Sequence, residues 1–113
     1  MAQLSKLVLQ VTSDMHPTQA TELEWDDGNE GECARHGVSA VEVYQVWRNG
    51  PLYRPNKRGL AGDWMMIGRS DGGRLLTVVI LARPEQKALR PITAWDASRG
   101  DRTVYRRSGR DDG

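Results

Sequence analysis

The chain has 113 residues, of which 38% are apolar and 27% charged, with a formal net charge of +1. This length and balance suit one small globular domain and exclude two domains or a wholly disordered chain. Cys33 is the single cysteine beside two histidines, which excludes an internal disulfide and a Cys/His structural zinc site.

Residues 1–19 read as an N-terminal arm. Leu4, Leu7, Val8, Leu9 and Val11 suit one strand, and Asp14 to Gln19, with Pro17 inside, reads as loop. Glu22 to Trp25 alternates polar and apolar like a short strand. Asp26 to Asn29 is a turn that can supply a helix N-cap. A short helix is expected from Asn29 to His36, with Gly37 where a left-handed cap is wanted. Ser39 and Glu42 have the spacing of a capping box. They open a second helix, with Val43, Val46 and Trp47 on one side, that stops at Asn49-Gly50-Pro51. Pro51 to Pro55 suits an edge strand, because each proline removes a ladder donor. Trp64 to Arg69 is the next strand, and Ser70 to Gly73 a hairpin turn. Arg74 to Ala82 is the most apolar run and reads as the central strand. After a turn at Pro84 to Lys87, the strand Ala88 to Trp95 should point Leu89, Ile92 and Ala94 inward, with Pro91 marking an edge or a bulge. Ser98 and Asp101 repeat the capping-box spacing ahead of a last helix to about Arg107. The expected fold class is α+β. Two short N-terminal helices and a C-terminal helix pack on a small antiparallel sheet of three to five strands. The domain spans 20–107, and 108–113 is a polar tail.

No segment approaches the ~20 apolar residues of a spanning helix, and no signal-peptide pattern opens the chain. The expectation is a cytoplasmic protein, free of the membrane and without metal or cofactor. The small net charge hides a split. Residues 1–47 hold two cations and eight anions, whereas 48–113 hold fourteen cations, twelve of them Arg, and seven anions. Arg forks onto phosphate, so the split suits contact with nucleic acid or an acidic partner. It equally suits two halves that neutralise each other in the fold.

Glu24-Trp25-Asp26-Asp27-Gly28-Asn29, followed by Ala34-Arg35-His36-Gly37-Val38-Ser39, resembles the opening of the BrnT-type ribonuclease toxins. The resemblance continues through Ile67-Gly68-Arg69-Ser70 and Gly73-Arg74-Leu75-Leu76. It extends to Arg90-Pro91-Ile92-Thr93-Ala94 and a closing helix with Arg102 and Tyr105, covering about residues 22–107. It implies a RelE-like fold and metal-independent cleavage of RNA. It also implies inhibition by an antitoxin, usually a ribbon-helix-helix protein. The chain departs from the family at Trp95-Asp96, where a basic residue is common, and at Asn29-Glu30, where many members carry Lys. It looks closer to a side branch of the family reading Trp-Asp-x-Gly-Asn.

RNA cleavage without a metal needs a base for the 2′-hydroxyl, an acid for the leaving oxygen and cations for the phosphorane. The candidates for catalysis are His36, Arg69, Arg90, Arg102 and Tyr105. Those for RNA binding are Arg35, Arg74, Trp95, Arg99 and Arg106. His36 reads either as an acid–base group at a helix C-terminus or as a structural cap. Arg69 and Arg74 flank one hairpin turn and suit a phosphate clamp or two solvated strand ends. Arg99, Arg102 and Arg106 share a helix face that fits RNA, an acidic antitoxin or simply water. Trp95 can stack a base or pack in the core, and Cys33 reads as a buried, inert thiol. Three functional readings stand. The first is an endoribonuclease toxin. The second is a non-catalytic RNA- or protein-binding domain of the same fold. The third is a structural or regulatory domain whose charge asymmetry drives self-association, as in a homodimer.

Overall fold

The computed structural model describes residues 15–57 and 62–110. The elements run β1 (Glu22–Leu23), α1 (Asp27–Arg35), α2 (Ala40–Arg48), β2 (Leu52–Pro55), β3 (Trp64–Arg69), β4 (Leu75–Arg83), β5 (Ala88–Asp96) and α3 (Arg99–Arg107). Short 3₁₀ turns occupy Pro17–Gln19 and Pro84–Gln86. The strand expected within residues 1–14 lies outside the described residues. The end of the arm packs onto the domain. Pro17 is buried, and the His16 ring stands edge-on to Trp64, 5.0 Å between centroids, and to Tyr53.

Each helix begins where a side chain can take an orphan amide. Asp26 caps α1 by accepting from the Asn29 amide at 3.0 Å, and Asn29 Oδ1 returns by accepting from the Asp26 amide at 2.7 Å. The helix therefore starts at Asp27, two residues before the expected Asn29. Ser39 and Glu42 form the expected reciprocal box at α2. At α3 the box is half made. Ser98 Oγ accepts from the Asp101 amide, but the Asp101 carboxylate accepts instead from Thr77 Oγ1 on β4, at 2.8 Å. Gly37 closes α1 with φ +76°, a conformation glycine adopts without steric cost.

The strands form one sheet in the order β1-β5-β4-β3-β2. β2 to β5 make an antiparallel meander with β4 central and β2 at an edge. The sheet is mixed rather than antiparallel throughout, because β1 pairs parallel to β5 through Glu22↔Ala88 and Leu23↔Leu89. Two helices and the rest of the meander lie between these strands, and a connection that long permits a parallel pair.

Met66, Leu76, Val78, Ile80, Leu89 and Ala94 face Cys33 of α1 and Val43 and Val46 of α2 in the main core. On the other face Ile67, Leu75 and Ala97 seat Tyr105 of α3. β4 is thus buried on both sides as far as Ile80, which explains its unbroken apolar run. The β4–β5 register shifts between Val79 and Ile80, which oppose Thr93 and Pro91. Ile92 is the extra residue of this bulge. It is only half-buried, in contrast to its expected inward position, whereas Leu89 and Ala94 are fully buried. The bulge also accommodates Pro91, which has no amide to offer the ladder.

Candidate nucleic-acid interface

The C-terminal turn of α1 lies against the second half of β5, and polar groups from both elements converge there. Glu32 occupies the centre. Its Oε2 accepts from Thr93 Oγ1 at 3.2 Å and lies 3.2 Å from His36 Nε2, and its Oε1 lies 3.1 Å from Arg35 Nη2. The Arg35 guanidinium first, then the Thr93 hydroxyl and the His36 ring, hold the Glu32 carboxyl below its ordinary range. The carboxylate therefore stays charged at neutral pH. A carboxylate beside Nε2 selects the ring form with a proton on Nε2. Nδ1 is then a bare acceptor in the neutral ring, with no hydrogen bond among the described residues.

The other side of His36 meets Trp95, edge-on with ring centroids 6.4 Å apart. Trp95 is half-buried and stands opposite Thr77 in the β4–β5 ladder. Thr77 in turn holds Asp101 in the first turn of α3. The surface therefore runs from the end of α1, across Trp95, to the start of α3. On α3, Arg102 is half-buried and donates through Nε to the Ala97 carbonyl at 3.1 Å. Arg99, Arg106, Arg107 and Arg110 are exposed. The expected face of Arg99, Arg102 and Arg106 is thus divided, with Arg102 turned toward the sheet.

The other candidates lie in different settings. Arg74 donates to the Gly37 carbonyl at 2.9 Å and to Glu42 at 3.0 and 2.9 Å, and it pairs with Asp96 at 3.1 Å. It ties the α1–α2 turn to the end of the sheet. Arg69, across the same hairpin, donates instead to the Gly73 carbonyl at 2.7 Å, so the two guanidinium groups reach different partners. Arg90 pairs with Glu24 at 3.2 Å and Asp26 at 3.0 Å beside the start of α1. Tyr105 is 4% exposed, a core side chain. The structure brings His36, Arg35 and Trp95 together, places Arg99 and Arg102 at the far side of the same surface, and leaves Arg69, Arg74, Arg90 and Tyr105 outside this cluster. Glu32 and Thr93 are the participants that sequence reading missed. The spacing of Glu32 and His36, one helical turn apart, was the available signal for the first. Thr93 depends on the docking of α1 against β5.

Among the described residues no three His, Cys, Asp or Glu side chains are grouped to hold a metal ion. No described helix is long and apolar enough to cross a membrane.

No family model matches the chain, and no curated protein matches its sequence. Among solved structures, the 1.1 Å crystal structure of the Brucella abortus ribonuclease toxin BrnT is similar, with a TM-score of 0.54 and 23% identity. The match covers 71% of this chain and 100% of that one. The strand–helix–helix–meander–helix order derived from capping and hydrophobic pattern is therefore the fold of BrnT.

Proposed function

We propose that this domain is an endoribonuclease that engages single-stranded RNA over Trp95 and moves the proton of the cleavage step with His36. The observation that carries this reading is the His36 ring set between the Glu32 carboxylate and the Trp95 ring. A base stacked on Trp95 sets a ribose beside His36. Nδ1 takes the proton of the 2′-hydroxyl, the 2′-oxygen attacks phosphorus, and the bond to the 5′-oxygen breaks. The imidazolium, supported by Glu32, returns its proton to the departing 5′-oxygen. The products are a 2′,3′-cyclic phosphate and a 5′-hydroxyl end. The exposed guanidinium groups of Arg99 and Arg35 supply positive charge for the phosphorane, Arg35 while keeping its solvent-exposed pair with Glu32. The chemistry uses these side chains alone, in keeping with metal-independent cleavage. The fold shared with a ribonuclease toxin supports the reading. A ribbon-helix-helix antitoxin covering the same cationic surface in the cytoplasm completes it.

A second reading is a domain of the same fold that binds RNA without cutting it. Its support is the burial of Tyr105 and the engagement of Arg74 and Arg90 in ion pairs, which remove three candidates from the reacting groups. Purified protein mixed with an end-labelled single-stranded RNA separates the two. Cleavage that His36→Ala abolishes while binding persists, and binding that Trp95→Ala weakens, supports the enzyme. Binding without new RNA ends in the native protein leaves the binding domain. Absence of binding defeats both.

A further inference from the structure

At the opposite end of α3 lies a pocket of 310 Å³, at the lower end of the range for ligand sites. Its walls are flat. Trp47 from α2, Tyr53 from β2, and Pro17 and Pro51 line it, with Arg110 beside them. The position of Arg110 follows from the end of the helix. Gly109 takes φ +79° and its amide donates to the Arg106 carbonyl. That left-handed turn ends α3 and directs the chain toward β2. Burial pushes the Tyr53 phenol up to about 12, so it stays a neutral donor at physiological pH. Tyr44 extends the aromatic surface, standing edge-on to Trp47 at 5.9 Å and 46% exposed.

The pocket is joined to the Trp95 surface by charge. The exposed Arg99 and Arg106 share one side of α3, with Arg107 a step round from them, and they lead toward the end of the helix where Arg110 lies. At about 1.5 Å per residue the nine residues of the helix run roughly 14 Å, a path that falls within the ~4–16 nucleotides of common single-strand sites. Aromatic walls beside a guanidinium suit a flat base attached to a phosphate.

We infer that the Trp47–Tyr53–Arg110 pocket is a second nucleotide subsite, which takes one base of a single strand whose backbone follows the α3 arginines from Trp95. This rests on the RNA reading above and deepens it, because it sets the length of strand the domain recognises. The pocket is built from segments distant in the chain, so the sequence alone does not show it.

The test uses 2′-O-methyl oligouridylates, which lack the attacking hydroxyl, and reads the indole N–H resonances of Trp47 and Trp95 separately. A dinucleotide should move Trp95 alone. A hexanucleotide should move both and bind about ten-fold more tightly, the gain of one stacked base and its phosphate contact. Arg110→Ala, at an exposed position beyond the helix, should remove the Trp47 response and that gain while leaving the Trp95 response. A hexanucleotide that moves Trp95 and never Trp47, or a gain that survives Arg110→Ala, overturns the subsite and spares the RNA reading. Movement of Trp47 without Trp95 keeps the pocket and overturns the placement of the site at His36. Stillness of both indoles at every length overturns both.

Discussion

Asn29 is 4% exposed and uses its whole amide. Its Oδ1 accepts from the Asp26 amide, while Nδ2 donates to the Glu24 carbonyl at 2.9 Å and to the Pro91 carbonyl at 2.8 Å. One side chain thus joins the end of β1, the cap of α1 and the bulge of β5. Asn29→Ala removes all three bonds. The Pro91 bond is buried, so its carbonyl loses a partner where water does not readily replace it, at about 1–3 kcal/mol. The other two bonds are partly buried and count for about 0.5–1.5 kcal/mol each. The expected loss is therefore about 2–6 kcal/mol, and it falls toward the low end, at about 3 kcal/mol, because the three bonds share one side chain. That is a large part of the stability of a domain this size. In urea, with an m-value of about 1–1.5 kcal/mol/M, the midpoint should fall by roughly 2 M at unchanged m. Asn29→Asp should fare no better, because a carboxylate keeps the bond from Asp26 but has no proton for two carbonyls. A midpoint within about 0.5 M of the native protein's in the alanine variant, or full stability in the aspartate variant, would refute the assignment of Asn29 as this junction.

Two glycines should respond in opposite directions in the same urea assay. Gly31 lies inside α1 with open space where a Cβ would stand, so Gly31→Ala should stabilise by about 0.5–1 kcal/mol. A Cβ on Gly62 would press on Val79 Cγ1 and lie 2.7 Å from the Ile80 carbonyl oxygen, so Gly62→Ala should cost about 1–3 kcal/mol. For Glu42, burial pushes the carboxyl up, but the Ser39 amide and the Arg74 guanidinium outweigh it and hold the group below 4.5. The unfolded chain therefore takes up this proton at higher pH than the folded one. The stabilisation is complete above the ordinary glutamate value and is lost as pH falls through the folded value. Stability measured from neutral pH down to acid should fall less steeply in Glu42→Gln, and an identical acid slope would contradict the assignment. Burial, with the Glu32 charge adding to it, pushes the Cys33 thiol up to about 11. Thiol labelling near pH 8 should therefore be at least about a hundred-fold slower in the native protein than in urea, and equal rates would place Cys33 outside the core.

Local chemistry determined most of the element list. Gly37, the Ser39–Glu42 box, Pro51, the Ser70–Gly73 turn and the apolar run through Leu75 to Leu81 act over a few residues, and each reads the same in isolation as in the fold. The resemblance carried by Trp25-Asp26 and His36-Gly37-Val38-Ser39 likewise led to the right fold, because it rests on the order of those same local signals. The tertiary structure decided what depends on distant partners. Parallel pairing of β1 with β5, and the diversion of Asp101 from its own cap to Thr77, follow from how segments dock, and pattern along the chain does not encode docking. The same holds for charge. Arg74 and Arg90 are cations of equal rank with Arg99 in the sequence, yet the first two pair with Glu42, Asp96, Glu24 and Asp26 and the last stays in solvent. Tyr105 and Trp95 are both aromatic residues near arginines, and only burial separates the core ring of the first from the half-exposed ring of the second. The sequence by itself therefore determined which residues could form elements and carry charge. Burial and ion pairing between distant segments decided which of them remain available to a ligand, because desolvation and Coulomb energies depend on distances in space and not on positions along the chain.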